Sequence, residues 1–456
     1  MIKKMYRKNI LFKFLLFVVP NFIYFLVKLS NIIVQYILLF YYRYFIFKLV
    51  SIPKNHRPRI LFGPSPIINN KYWANALKCN GYKADSIVTA IPLINKRDDF
   101  NFLIDELFPI KGRRNNWNLT KQKLDVFSFA IKEYDIFLMS FRFNFFDDLY
   151  FSNYEAKLLK LYGKKIIIIP YGSDYYKYSK IIDQSLKHNL FISVPNEIFN
   201  EKSISKKVNY WIRNADFIIM GVMLDDAGRW DALPLSSLTI DVNEWSPSVK
   251  EQKFDGINGA VTIVHSPNFR NFKGTEFLIQ AIQELIDEGL KIDFILLEKV
   301  DNHVVKKILH ENADILVEQL IFTGHGLSAI EGLASGIPVL SNLENPEIMN
   351  VFRRYSYLNE CPIVSTSPEN VKSNLRKLIT NPDLRVKLGS AGRKYAEKYQ
   401  SYTAFNALFA EIERKIWKED YTSDPMNFYN PRNPKAYNNL TPLINHPLIN
   451  SHIVKD

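Results

Sequence analysis

Hydrophobic and polar positions follow two different patterns along this chain of 456 residues. The first fifty residues are dominated by two apolar stretches, 10–27 and 32–47, which the polar run KLSN separates. From Arg59 onward, short apolar runs typical of buried strands alternate with longer stretches in which apolar residues recur every three or four positions, as in amphipathic helices. Alternation of this kind predicts an α/β fold with doubly wound parallel sheets.

The alternating pattern occurs in two series. In the first series we predict strands beginning at 59, 135, 165 and 215 and helices at 153–163 and 202–214. In the second series we predict strands at 260–266, 291–298 and 314–321 and helices at 275–289 and 302–312. Each series supplies enough elements for one sheet, so we expect two Rossmann-like domains.

The composition between and beyond the two series sets the domain boundaries. A stretch rich in Pro, Asp, Ser and Trp separates them, and we predict domains at 56–225 and 256–400 joined by a linker at 226–255. An amphipathic helix within 401–420 could cross back to the first domain. The remaining residues, 421–456, are rich in Asn and Pro and are expected to be irregular.

The net charge of +13 is concentrated at the start of the chain. Fourteen Lys and Arg residues precede the first acidic residue, Asp85, and the remaining 45 face 46 Asp and Glu. The body of the protein is therefore electrically balanced, which argues against nucleic acid as a partner.

The basic, apolar start is typical of a membrane-associating segment, which we place at 1–55. Each stretch approaches the roughly 20 residues that a spanning helix needs, but Lys13, Pro20, Gln35 and Arg43 weaken that interpretation. A re-entrant hairpin or interfacial helices fit equally well. No small-residue cleavage site follows the first stretch, so a cleaved signal peptide is disfavoured. We expect the cytoplasmic face of a membrane as the location.

The two cysteines and the pair of aspartates at 225 and 226 do not indicate a metal site. Cys79 and Cys361 lie far apart and match no metal-ligand spacing. The pair Asp225 and Asp226 is typical of a solvated turn, so we predict no metal site.

Residues 324–340, GHGLSAIEGLASGIPVL, combine a glycine loop, a helix start and a buried strand. Gly324 and Gly326 permit close approach of the backbone to a ligand, and the free N–H groups that open the next helix favour an anion. Glu331, one turn further in, could accept hydrogen bonds from a ribose diol. An ordinary buried αβ unit is an equally good interpretation of these residues alone.

A second loop, SPNFRNFKGT at 266–275, follows a predicted strand and precedes a helix. It places Arg270 and Lys273 beside a helix N-terminus, where two cations could neutralise a diphosphate leaving group. The alternative is a solvated charged turn, which is the more common state of such a pair.

The order and spacing of these two loops resemble the nucleotide-sugar glycosyltransferases of GT-B fold, specifically the retaining family 4, or glycosyl transferases group 1. That family carries an R…KG loop and a later segment of the type E-G-x-G-L-x-x-x-E-A-x-A-x-G-x-P-V. The resemblance extends over residues 59–415 and is strongest at 260–340. In the first domain, GPSP at 63–66 resembles the loop after the first strand. The segment YGSDYY at 171–176 resembles an HGSD segment that faces the donor sugar.

The resemblance implies a set of site residues. Arg270 and Lys273 would be catalytic, offsetting the charge of the departing diphosphate. The implied donor-binding residues are Gly63, Ser65, Gly172, Asp174, Thr323, Gly324, His325, Gly326, Leu327, Ser328 and Glu331. The family needs no metal and no tightly bound cofactor, since the nucleotide-sugar is a co-substrate.

Three positions depart from the family pattern. Thr323 stands where the family has the first carboxylate of its E-x7-E pair, Asn268 where it has its first basic residue, and Tyr171 where it often has His. His325 or Thr323 itself could substitute for the missing donor-sugar contacts. A loop histidine, however, is more often structural than catalytic.

We therefore predict a membrane-associated glycosyltransferase that moves a sugar, with retention, from a nucleotide-sugar to a lipid-linked or polysaccharide acceptor in cell-surface glycan synthesis. The missing carboxylate keeps a second interpretation open, a catalytically degenerate GT-B protein that acts as a membrane-bound partner or scaffold. A nicotinamide dehydrogenase is a third, disfavoured because no G-x-G-x-x-G follows the first strand.

Overall fold

Two parallel sheets flanked by helices form the core of the protein, and they confirm the predicted pair of Rossmann-like sheets. The computed structural model describes residues 24–50, 56–92, 95–220, 228–229, 231–233, 238–344 and 361–420. The tail at 421–456, most of the apolar stretch at 10–27 and the pair Asp225 and Asp226 lie outside the described residues.

The first lobe is built on a six-stranded sheet of order β3-β2-β1-β4-β5-β6. Its strands are β1 (Ile60–Phe62), β2 (Ala84–Val88), β3 (Phe102–Leu103), β4 (Ile136–Met139), β5 (Lys165–Ile168) and β6 (Phe217–Ile218). Each central strand is a short run of buried Ile, Leu, Phe or Met, as expected of a parallel sheet covered on both faces. The covering helices are α2 (Asn69–Cys79), α3 (Ile104–Leu107), α4 (Asn116–Glu133), α5 (Glu155–Leu161), α6 (Gln184–Ser193), α7 (Pro195–Phe199) and α8 (Glu201–Asn214).

The second lobe is built on a five-stranded sheet of order β11-β10-β9-β7-β8. Its strands are β7 (Val261–His265), β8 (Ile292–Leu296), β9 (Ile315–Thr323), β10 (Val339–Asn342) and β11 (Val364–Ser365). Its helices are α9 (Arg270–Lys273), α10 (Thr275–Asp287), α11 (Asn302–Glu311), α12 (Leu327–Ala334), α13 (Val371–Ile379) and α14 (Pro382–Tyr399).

A last helix, α15 (Tyr402–Ile416), returns to the first lobe and packs on α2. Its apolar face carries Phe405, whose ring stacks on Trp73 with centroids 6.2 Å apart. Asn406 donates to the carbonyl of Ala76 at 2.8 Å, so polar as well as apolar contacts fix the helix there.

The N-terminal helix α1 (Tyr24–Ile46) is the one helix in the described part of the chain that is long and apolar enough to cross a membrane. It continues through KLSN instead of breaking there, and the backbone carbonyl of Asn31 accepts from Asn116 Nδ2 of the first lobe at 3.5 Å. Further along, Leu38 and Tyr42 are buried in the core of that lobe. One face of α1 is therefore docked on the protein.

Strand β9 loses its regular register near its end. Its residues pair with β10 at Gln319–Ser341 and again at Thr323–Asn342, so three residues lie between these pairs on β9 and none on β10. The extra residues, Leu320 to Phe322, form a bulge. Ile321 is 6% exposed within the hydrophobic core of the first lobe, so this bulge joins the two lobes.

A buried ion cluster ties together the strand starts of the first sheet. Asp135 accepts from the Arg59 guanidinium at 2.9 and 3.0 Å and from Lys164 Nζ at 3.3 Å, and the side chains of Asp135 and Lys164 are 0% exposed. Burial alone would raise the pKa of Asp135, but hydrogen bonds from Arg59 and His56 hold it well below its usual range. The charges are therefore paired.

We expect Asp135→Asn to lower the free energy of unfolding by roughly 3–5 kcal/mol, because it leaves buried Lys164 without its counter-charge. Urea denaturation at pH 7 measures the change. The control is Glu133→Gln, which removes an exposed ion pair with Lys83 and should cost about 1 kcal/mol or less. Equal losses in the two variants would contradict a structural role for the cluster.

Candidate functional site

A cleft of about 530 Å³ opens between the two lobes where the strands of both sheets end. Residues from both lobes line it, as expected for a ligand site at the carboxyl ends of parallel strands. Of the site residues predicted from the sequence, the lining includes Lys273, His325, Gly326, Leu327, Ser328 and Glu331.

Lys273 reaches the cleft from the end of the short helix α9. Gly274 follows with a φ of 74°, and a Cβ there would lie 2.8 Å from Leu320 Cβ, so glycine permits the close turn into α10. The Lys273 ammonium donates to Glu318 at 2.9 Å and to Gln319 at 2.7 Å. The cation is thus held by two neighbouring side chains of β9.

Glu318 was not among the predicted site residues, yet it lines the cleft. It is 3% exposed and accepts from the Gly326 N–H at 3.0 Å and from Ser341 Oγ at 3.0 Å, in addition to Lys273. A Cβ on Gly326 would lie 2.8 Å from Glu318 Oε1. The glycine is therefore needed partly to admit this carboxylate.

Helix α12 begins at the cleft, with Gly326 as its N-cap residue. Leu327 and Ser328 form the first turn, where backbone N–H groups have no intrahelical acceptor. One turn further, Glu331 is 4% exposed and accepts from Asn302 Nδ2 at 3.1 Å. Burial raises the pKa of Glu331 to about 8, since the ionised form is poorly solvated there.

His325 is buried in the cleft wall, 6% exposed, and neither ring nitrogen has a hydrogen-bond partner. Burial lowers its pKa, so the neutral imidazole is favoured. His265 is a contrast, because its ring bonds to the Val317 carbonyl at 2.7 Å and to Thr275 Oγ1 at 2.8 Å. His325 thus lines the cleft with both ring nitrogens buried and unpaired.

Thr323 and Gly324 lie behind the cleft and are not part of its lining. Thr323 pairs with Asn342 in the sheet, and the Gly324 N–H donates to the Asn342 carbonyl at 2.7 Å. Gly324 has a φ of 110°, which favours glycine. Thr323 and Gly324 therefore fix the loop that precedes α12 without lining the cleft.

The first-lobe candidates border the cleft without lining it. Ser65 is buried against Ser140, and Asp174 accepts from the backbone N–H groups of Phe141, Tyr171 and Gly172 at 2.9–3.0 Å. Burial raises the pKa of Asp174 to about 6. Asp174 thus holds two loops together.

Other side chains of the first lobe do reach the cleft. Tyr171 and Tyr176 line it, and so does Pro66, which follows the loop of Gly63 and Ser65. These rings and the proline give this wall a largely apolar surface.

Arg270 lies outside the cleft lining. Its guanidinium pairs with Glu276 at 2.7 Å and with Glu298 at 3.0 Å, and its side chain is 37% exposed. Asn268, which holds the position where the related pattern has a basic residue, does line the cleft.

Several polar lining residues were missed by the sequence analysis: Glu318, Gln319, Asn302 and Lys299. A signal was present for two of them, because Glu318 and Gln319 interrupt an otherwise apolar strand. Polar residues in such a buried run need partners. Among the described residues, no group of three or more His, Cys, Asp or Glu side chains could hold a metal ion.

Comparison with known proteins gives three findings. Residues 273–395 match the family model described as Glycosyl transferases group 1. An uncharacterized glycosyltransferase of Methanocaldococcus jannaschii is 28% identical over 146 residues, a match that covers 28% of this chain and only 40% of that relative. A sucrose-phosphate synthase from Thermosynechococcus elongatus has a TM-score of 0.52 at 13% identity, with coverage of 80% of this chain and 100% of that chain. The similarity to the sucrose-phosphate synthase is a similarity of fold alone.

The raised pKa of Glu331 makes stability depend on pH. Its folded-state pKa of about 8 lies above its ordinary value of 4.5, so the folded protein holds a proton that the unfolded chain releases between these pH values. Stability from this group is therefore lost as pH rises through that window. We expect Glu331→Gln to become progressively more stable than the unmodified protein between pH 5 and pH 9.

Thermal melting at pH 5, 7 and 9 without nucleotide measures this difference. Other buried carboxylates, such as Asp174, are present in both proteins and cancel in the comparison. A difference that is constant with pH would show that Glu331 is ionised in the folded protein throughout.

Proposed function

We propose a sugar-transfer function for this chain on the premise that its second lobe belongs to the glycosyl transferases group 1 family. The reaction would move a sugar from a nucleotide-sugar to an acceptor, with retention. The observation that carries the proposal is the convergence of Lys273, the start of α12 and Glu331 in one cleft between the lobes.

Each of these groups suits one part of a nucleotide diphosphate. The N–H groups of Leu327 and Ser328 and the Lys273 ammonium favour phosphate oxygens. Glu331 can accept hydrogen bonds from ribose hydroxyls, which would replace part of the water that burial has removed from it. His325, with both ring nitrogens unpaired, is the available neighbour for a donor sugar.

In a retaining transfer, the acceptor hydroxyl attacks the sugar on the face that the diphosphate leaves. The negative charge that develops on the diphosphate is then stabilised by donors already in place, which is where catalysis gains most. Lys273 and the helix start are such donors in this chain. The nucleotide-sugar is a co-substrate, and the proposal needs no bound metal.

The acceptor is proposed to be lipid-linked or a growing surface polysaccharide, because α1 suits a membrane surface. Its exposed residues Ile33, Tyr36, Ile37, Phe40, Tyr41, Tyr44 and Phe45 recur at helical spacing. They form an apolar and aromatic stripe opposite the docked face, with exposed Arg43 and Lys48 beside it. Tyrosine and basic side chains of this kind favour the headgroup region of a bilayer.

The docked face argues for a helix that lies in the membrane surface over this part of its length. Gln35 donates to Asn116 at 3.1 Å and accepts from the Tyr150 N–H at 2.8 Å, so the middle of α1 is fixed to the first lobe. A helix held in this way presents its other side to lipid. The first lobe would then sit on the cytoplasmic face, close to a lipid-linked acceptor.

A degenerate, non-catalytic member of the family is the second candidate, favoured by Thr323 in place of the usual carboxylate. The two candidates differ in nucleotide binding. A thermal-shift screen against nucleoside diphosphates and their sugars should show stabilisation by one nucleotide if the protein is a transferase. If no nucleotide in the panel raises the melting temperature, the scaffold function is favoured.

We expect Lys273→Ala and Glu331→Ala each to lower sugar transfer at least tenfold, because each removes one group that contacts the donor. Turnover with the nucleotide-sugar found in the screen measures the loss. The matched control is Lys253→Ala, an exposed lysine of the same lobe paired with Glu251. Unchanged transfer in both cleft variants would refute the assignment of the site.

We expect the triple variant Ile37→Glu, Phe40→Glu, Tyr44→Glu to lower binding to vesicles of anionic phospholipid at least tenfold, since it places carboxylates on the stripe. Co-sedimentation of the full chain with vesicles measures binding. The control variant Ile257→Glu, Phe277→Glu, Val386→Glu changes exposed apolar residues of the second lobe. Equal binding by the triple variant and the unmodified protein would contradict the in-plane placement of α1.

A further inference from the structure

A buried carboxylate already sits among the groups that would bind the donor diphosphate. Glu318 accepts from Lys273 and from the Gly326 N–H, the backbone group at the start of α12. Ser341 donates to its second oxygen at 3.0 Å. With these bonds and a side chain that is 2% exposed, the carboxylate is fixed in place.

We propose that Glu318 is a positioning residue for the transfer reaction, holding Lys273 and the start of α12 in the arrangement that the departing diphosphate requires. It would take the place of the carboxylate that is missing at position 323. The inference rests on the sugar-transfer function proposed above and adds to it a residue that the motif does not contain.

Position 323 is poorly placed to carry this carboxylate in the present chain. Thr323 is 3% exposed, pairs with Asn342 in the sheet and does not line the cleft. The bulge of β9, Leu320 to Phe322, separates it from Glu318. Glu318 reaches the cleft from the position between the Val317–Leu340 and Gln319–Ser341 pairs, where the register of β9 first shifts.

The charge of Glu318 predicts the direction in which its removal should change nucleotide binding. Glu318 is an anion beside the place where Lys273 would meet a diphosphate, and like charges repel. Its presence therefore weakens binding of the free nucleotide, while it orients the ammonium for the transition state. An interaction of this kind raises turnover and not ground-state affinity.

The test is Glu318→Gln, which keeps the shape of the side chain and removes its charge. We expect turnover to fall at least tenfold, while the dissociation constant for the nucleoside diphosphate stays the same or decreases. Lys273→Ala is the comparison, because it should lose turnover and nucleotide affinity together. Titration calorimetry with the nucleoside diphosphate and steady-state rates of the full chain supply the two readouts.

A matched control is the residue that immediately precedes the same strand. Asp314 is 1% exposed and pairs with Lys250 at 2.6 Å, but it stands at the opposite end of β9, away from the cleft. Asp314→Asn should lower the melting temperature and leave turnover per folded molecule unchanged. It therefore separates the loss of a buried ion pair from the loss of positioning.

Glu318→Asp provides a second variant that retains the charge. It should recover part of the turnover that Glu318→Gln loses, and it keeps the proposal testable if the Gln variant folds poorly. Turnover of Glu318→Gln within twofold of the unmodified protein would overturn the proposal. A parallel loss of turnover and nucleotide affinity, as in Lys273→Ala, would also overturn it.

If the proposed sugar-transfer function is wrong, the experiments give a different result. If the unmodified protein neither binds a nucleoside diphosphate nor transfers sugar from any nucleotide-sugar, the transferase assignment fails and this inference with it. Nucleotide binding by the unmodified protein, together with loss of transfer in Lys273→Ala alone, refutes only the role of Glu318.

Discussion

Strand β9 must bury polar side chains without leaving any of them unpaired, and much of the second lobe is arranged around that constraint. An unpaired polar group in a dry interior is costly, more so when it is charged. Asp314, the residue before the strand, meets the requirement through Lys250, and Glu318 within the strand meets it through Lys273. Gln319 accepts from the same lysine. The loop before α12 folds so that its glycine admits the second carboxylate.

The same strand also connects the site to the first lobe. Its bulge places Ile321 in the hydrophobic core of that lobe and brings the ring of Phe322 to 5.9 Å from that of Tyr176. Glu318 lies two residues before this bulge, so one strand both lines the cleft and contacts the first lobe. The helix α15, packed on α2, supplies an independent tie between the lobes. Two separate contacts, one through the β9 bulge and one through α15, therefore join the lobes that form the cleft.

Most of the fold could be predicted from the sequence, because short apolar runs and patterns of period 3.6 both report burial directly. The strand at 314–321 and the helix at 275–289 are examples, matched within two residues by β9 and α10. The place of Glu318 in the cleft could not be predicted, since it depends on a contact with Lys273 across 45 positions of sequence. The exclusion of Arg270 from the cleft has a similar cause. Its partner Glu298 becomes a neighbour only when β7 and β8 pair, although Glu276 lies only six positions away.

The absence of charge at position 268 affects how the cleft can bind an anion. Asn268 lines the cleft without a charge, and the cation at 273 is already paired with Glu318. The pair is nearly neutral as a unit, so the backbone N–H groups at the start of α12 must contribute a larger share of the attraction for phosphate. Backbone donors are fixed in direction and do not titrate. A site that relies on them gains geometric selectivity for the diphosphate at the expense of long-range attraction.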